Sequence, residues 1–293
     1  MSKWFGLGLL ILFICFPKIA SEGISLGLEK GLLVLMPAIF PYMVVSQVFI
    51  KTGGVRPILV LFKKENRLKN IIPVLLPSLF CGYPTGARLA SLAYDNNEIS
   101  KRELYGMYGF GNIPGFGFCV GYVGGVLYNS FTLGLQMYLS FLIASLLLWI
   151  FWMQGKNPKN QNFALVKQET ALPFSTALVE AVTESAIAML SLICFVCFFS
   201  SIICFIKSFL KNTPLCWLLC AGLEITTGLS MIVAHFPLSS AMFFTAFSGL
   251  CVMFQSLSFD KRKAVNLLWL MAFRSIYGVV SVVVFYGIHF LVA

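Results

Sequence analysis

The stretch Cys81-Gly82-Tyr83-Pro84-Thr85-Gly86-Ala87, followed at once by Arg88, interrupts an apolar run that extends from Leu75 to Ala93. Two glycines and a proline at the centre of such a run do not suit a straight membrane helix. Breaks of this kind are tolerated at membrane depth only where protein or a water-filled cavity satisfies the freed backbone groups. A second break, Glu224-Ile225-Thr226-Thr227-Gly228, lies inside another apolar run. Two broken segments in corresponding positions of two halves are the sequence signature of a transporter-like binding site.

Composition sets the environment. Of the 293 residues, 59% are hydrophobic and 11% charged, with a mean hydropathy of +0.88. Soluble domains carry about 25% charged residues, so the chain reads as an all-α polytopic integral membrane protein whose first partner is the lipid bilayer. The net charge of +10 sits in short loops between apolar runs. That pattern follows from the positive-inside rule and argues against a nucleic-acid partner. Eight of the nine cysteines fall within apolar segments, where free Cys acts as a small apolar residue. The pairs Cys194/Cys197 and Cys216/Cys220 have no histidine nearby, so neither a metal site nor a cofactor is expected. Lys18 stands where a signal-peptidase site after Ala20 would want a small residue, which favours an uncleaved first span.

Apolar segments long enough to cross are expected at 4–20, 31–50, 131–153, 186–206, 238–257 and 264–292. Segment 104–129 is also long enough, but Gly109, Gly111, Pro114, Gly115 and Gly117 interrupt it. Residues 54–69 pair an apolar half with Lys63, Lys64, Arg67 and Lys69, as an interfacial amphipathic helix would.

The loop charges decide how the two broken segments run. With the N-terminus inside, two crossing segments at 71–94 and 214–234 leave 12 basic residues inside and 7 outside. Two re-entrant hairpins change that to 15 and 4, with Arg88 and Arg274 counted as intramembrane. The second arrangement obeys the positive-inside rule better. It gives about seven transmembrane helices and two re-entrant hairpins in inverted repeat, in one membrane domain, multi-pass in the cell membrane with a cytoplasmic N-terminus. Within it, 1–53 holds two spans, 54–153 the first repeat with its interfacial helix and hairpin 71–94, and 173–210 a linking span. Residues 214–293 form the second repeat with hairpin 214–234. Thr85-Gly86 with Gly117-Phe118-Cys119-Val120 and Thr227-Gly228 with Gly249-Leu250-Cys251-Val252 mark the two halves.

Three stretches of the first half carry a family resemblance: Gly82 to Arg88, Ile99-Ser100-Lys101-Arg102-Glu103, and Gly109 to Gly121. In the second half, Leu223 to Gly228 and Phe247 to Gln255 do so. With these, the chain resembles the Gate, or nucleoside-recognition, membrane superfamily over roughly residues 30–290, and within it the sporulation integral membrane protein branch. The resemblance implies a transport-like fold in which two opposed hairpins meet near the midplane. It also implies a role in endospore formation. The functional expectation is a transporter-like protein that moves or binds a small polar solute, nucleoside-like or another metabolite, by alternating access. The alternative is a non-transporting scaffold or regulator of sporulation that partners other sporulation membrane proteins or a second copy of itself. No sequence feature supports an enzyme.

The expected solute-binding residues are Gly82, Thr85, Gly86, Asn112, Glu224, Thr226, Thr227, Gly228, Ser248 and Gln255. Helix starts at the tips offer free N–H groups and a positive dipole, and the threonines add hydroxyls. Thr85-Gly86 is expected to face Thr227-Gly228. Glu224 is suited to a coupling cation, a proton or a ribose-like hydroxyl. Its other reading is a structural ion pair with Arg274 or Arg88. Glu180 and Glu184, four apart on one helix face, read as a wet helix end.

Overall fold

The computed structural model describes residues 2–54, 75, 77–79, 81–154 and 171–292. The interfacial helix expected over 54–69, most of the entry arm of the first hairpin, and the loop bearing Lys156, Lys159 and Lys167 lie outside the described residues.

Helix α1 spans Ser2–Cys15. It stops at Phe16 because Pro17 lacks the N–H to continue it and opens the next helix instead. Helix α2 then runs Pro17–Lys51 for 35 residues. It widens into a π-helical stretch at Gly31–Leu35, ahead of Pro37 and Pro41, which cannot keep regular pairing. The segments 4–20 and 31–50 therefore fold as one short helix and one long one, and the 14 residues of α1 fall short of the ~20 that a crossing helix needs.

The rest is helical too: α3 (Thr85–Asp95), α4 (Lys101–Gly106, continuing as a π-helical turn over Met107–Gly111), α5 (Gly117–Leu127, π-helical), α6 (Phe131–Met153) and α7 (Phe174–Leu210). There follow α8 (Pro214–Leu223), α9 (Ile225–His235), α10 (Leu238–Phe247), α11 (Gly249–Ser258) and α12 (Leu267–Val292). No strand occurs among the described residues. Among the described residues, five helical segments are long and apolar enough to cross a membrane: α2, α6, α7, α10 with α11, and α12. Their outer faces carry Leu33, Phe151, Ile187 and Val283, all more than 60% exposed. Inside lie polar side chains such as Ser78, Ser140, Ser185 and Arg274. A water-soluble domain would reverse that distribution.

Helices α2 and α7 form a long antiparallel pair. A Cβ on Gly23 would lie 2.3 Å from the Ser201 Cα, and one on Gly27 would lie 2.4 Å from the Cys197 Cα. Glycines four apart let two backbones approach this closely, and dispersion along the shared face holds them. At one end of the pair, Lys51 reaches Glu180 (2.7 Å) and Glu184 (2.8 Å). Arg88 of α3 joins Glu184 at 3.3 Å. The wet helix end expected at Glu180 and Glu184 is thus also an ionic junction of three helices.

The second half gives a pair of short helical arms, then a helix–break–helix unit, then a long helix; of the first half, the arm α3, the broken unit α4–α5 and the long α6 are described. In the second half α8 and α9 fold back on each other so tightly that a Cβ on Gly228 would meet the Ala221 backbone at 2.3 Å. His235, ending α9, stacks on Trp217 in the first turn of α8 at 3.8 Å. Both arms therefore begin and end at the same end of the molecule. In the first half, Asp95 at the end of α3 pairs with Arg262 in the loop before α12 (3.2 Å), while Arg88 joins the end of α2 through Glu184. Ser100 and Glu103 form a reciprocal capping box that starts α4, which gives the Ile99–Glu103 stretch a structural role.

Candidate functional site

Four breaks meet in the interior. At tip 1, Gly82 takes φ +72 and its missing Cβ leaves room for Gly115, whose nitrogen would lie 2.2 Å from it. A side chain there would be strained and would collide. The Tyr83 N–H donates to the Ile113 carbonyl at 2.9 Å, so tip 1 docks on the break between α4 and α5. Tip 2 docks on the other broken unit, where Ser248 (φ +71) and Gly249 (φ +72) both adopt left-handed backbone. A Cβ on Gly249 would sit 3.1 Å from the Leu223 carbonyl oxygen.

Glu224 leaves the helical region (φ −138, ψ 118) and caps α9 with its own side chain. One carboxylate oxygen accepts from the Thr226 N–H and the other from the Thr227 N–H, each at 2.7 Å. A carboxylate at a helix start satisfies otherwise orphaned donors and interacts favourably with the helix dipole. The alternative reading of Glu224, a structural ion pair with Arg274 or Arg88, is not met in the structure. Among the described residues, the ion pairs join Lys51, Arg88 and Arg262 to Glu180, Glu184 and Asp95, and none includes Glu224.

Tyrosine hydroxyls of the first half reach carbonyls of the second. The Tyr122 hydroxyl donates to the Thr226 carbonyl (3.0 Å) and the Tyr83 hydroxyl to the Thr245 carbonyl (3.5 Å). Asn112 Nδ2 donates to Ser256 Oγ at 3.2 Å, and the Tyr108 hydroxyl to the Ser256 carbonyl at 3.0 Å. Where Tyr83 approaches Glu224 and Thr226, a cavity of about 20 Å³ remains, with Phe118 and Gln255 also in its wall. That is room for about one water-sized particle.

Gln255 is 1% exposed, yet neither of its amide atoms has a protein partner; Thr226 Oγ1, Thr227 Oγ1, Thr85 Oγ1 and Asn112 Oδ1 are likewise unpartnered. Buried polar groups are normally satisfied, because an unmade hydrogen bond costs about 1–3 kcal/mol. These six atoms lie at or beside the breaks, while Tyr128, Trp149, Ser185 and Ser200 carry further unpartnered atoms elsewhere.

The structure sorts the expected residues into groups. Glu224, Thr226 and Gln255 line the cavity. Asn112 and Ser248 instead accept from Arg274, while Thr85 and Thr227 lie in the first turns of α3 and α9. Gly82, Gly86 and Gly228 are packing positions: a Cβ on Gly86 would meet Ser78 at 2.7 Å, and the other two meet backbone. Of the tip residues, Tyr83 shares the cavity wall with Glu224, Ile225 and Thr226, whereas Thr85, Gly86, Thr227 and Gly228 do not line it. Sequence reasoning missed Tyr83 and Tyr122 as site residues, since a tyrosine in an apolar run gives no sign of where its hydroxyl ends. Among the described residues, no three His, Cys, Asp or Glu side chains gather as a metal site. No protein-family model, no curated protein and no solved structure matches the chain.

Proposed function

We propose that the protein binds a small polar solute between its two hairpin tips and passes it across the membrane by alternating access. The observation that carries this reading is the cavity joining Tyr83 to Glu224 and Thr226, with both amide atoms of Gln255 left without partners beside it. Glu224 spends one lone pair of each oxygen on the α9 cap, and each oxygen retains another for a solute hydroxyl, an amine or a coupling proton. At about 20 Å³ the cavity is the closed state of such a site. Admitting a nucleoside-sized solute requires the tips to part.

In this reading the two hairpins are re-entrant. Arms of 10 and 11 residues span about 15 Å each, half of a ~30 Å bilayer core. The end holding Lys51, Arg88, Lys101, Arg102 and Lys261–Lys263 is cytoplasmic by the positive-inside rule. The resemblance to the sporulation branch of the Gate superfamily supports a role for the solute in endospore formation.

A thermal-shift screen of purified protein against nucleosides, amino acids, carboxylates and metal ions identifies the solute class, followed by flux in proteoliposomes. The expected outcome is a stabilising solute whose flux is lost in Glu224→Gln and Thr226→Val while both variants still insert. Full function in both variants, with loss only from changes in the polar loops, identifies a scaffold instead.

A further inference from the structure

Arg274 on α12 is the largest fully buried side chain among the described residues, at 1% exposure, and no ion pair there includes it. Burying a guanidinium without a carboxylate is expensive unless other oxygens replace its water. Those oxygens come from the breaks. Nη1 donates to the Asn112 carbonyl at 2.7 Å and, at 3.5 Å, to the Gly109 carbonyl, both freed where the helix begun by α4 ends. Nη2 donates to Ser248 Oγ at 3.0 Å, at the left-handed break between α10 and α11. The rings of Tyr83 and Tyr277 lie 5.7 and 5.6 Å from the guanidinium carbon, close enough for cation–π attraction. One cation thus ties both broken units and touches tip 1.

Unwound carbonyls of discontinuous helices are where membrane transporters hold a mobile coupling cation. The geometry points to Arg274 as a tethered cation that occupies that position permanently, so that the two broken units are joined without a bound metal ion and solute passage needs no Na⁺ there. Only the statement on solute passage rests on the transport reading; the fixed cation stands on the contacts alone. A planar fork suits this position, because two carbonyls and a hydroxyl lie around its edge while aromatic rings approach it from tip 1 and from α12.

The test is thermal unfolding of purified Arg274→Ala, with ethylguanidinium, Na⁺, K⁺ or tetramethylammonium added at equal concentration. Arg274→Ala is expected to melt well below wild type, and ethylguanidinium to restore most of the loss. Tetramethylammonium and K⁺ should not do so, and wild type should melt alike in every salt. Three results overturn the inference: Arg274→Ala as stable as wild type, rescue by ethylguanidinium no better than by tetramethylammonium, or specific stabilisation of wild type by Na⁺. Should Arg274→Ala yield no folded protein, Arg274→Lys keeps the charge without the fork and is expected to fold with a lowered melting temperature; wild-type stability in Arg274→Lys overturns the inference equally. Loss of the transport reading would show in flux and leave these melting results untouched.

Discussion

The two hairpin tips solve one problem with different chemistry. Each starts a helix inside the protein, α3 at Thr85 and α9 at Ile225, and each start leaves N–H groups in need of acceptors. Tip 2 carries its own acceptor, with both oxygens of Glu224 in use. Tip 1 has Pro84 in the corresponding place, which offers no side-chain oxygen, and it is held by backbone against the Ile113–Gly115 break. One tip is therefore charged and the other neutral. The two tips differ in chemistry: tip 2 presents a carboxylate, tip 1 the Tyr83 ring.

Substitutions can break this contrast at either tip. The largest effect is expected at tip 1 from Gly82→Ala. Left-handed backbone costs an L residue about 1–2 kcal/mol, and overpacking against Gly115 adds roughly 1–3 kcal/mol. Little folded protein should elute on size-exclusion chromatography, whereas Gly121→Ala, with no atom within 4 Å of the new Cβ, should elute as wild type. At tip 2, Glu224→Ala strips two buried N–H groups of their acceptor and is expected to cost about 2–3 kcal/mol in thermal unfolding. Glu224→Gln retains one acceptor oxygen and should cost about half as much, so equal losses would show that the charge rather than the cap matters.

Smaller effects sharpen the comparison by separating support from site. Lys51→Met removes a junction whose carboxylates are 45% and 36% exposed, so it should shift stability by less than about 1 kcal/mol and less still in high salt. Gln255→Leu should change the melting temperature least, within about 1 kcal/mol, because neither amide atom has a protein partner to lose. Solute binding should nevertheless disappear in that variant.

Much of the fold was legible because breakers in apolar runs are rare and costly. Gly82, Pro84 and Gly228 marked breaks beside helix starts, and Pro114 and Gly115 marked the first broken unit. The α2–α7 pair was missed although Gly23, Gly27 and Gly31 stand four apart; Glu22, Glu29 and Lys30 between them disguised a packing face as a polar segment. The site was half legible. Glu224, Thr226 and Gln255 were found because polar groups in an apolar run need a reason. The partners of Glu224 and Arg274 were not, because Glu224 binds backbone N–H groups and Arg274 two backbone carbonyls besides the Ser248 hydroxyl, and backbone groups leave no residue type to read. A glutamate cap is also outside the usual preference for Ser, Thr, Asp and Asn, so the cap was not foreseen beside the two readings of Glu224, as a site or as half of an ion pair.

The central claim is that the two hairpins enter from opposite faces and meet at their tips. Single cysteines at Asn97, Lys263 and Asn212, placed in a cysteine-free background and probed from each side of oriented vesicles with an impermeant maleimide, test it most directly. The account predicts that Asn97→Cys and Lys263→Cys are labelled from the same face and Asn212→Cys from the other. Labelling of Asn97→Cys from the face opposite Lys263→Cys would contradict it.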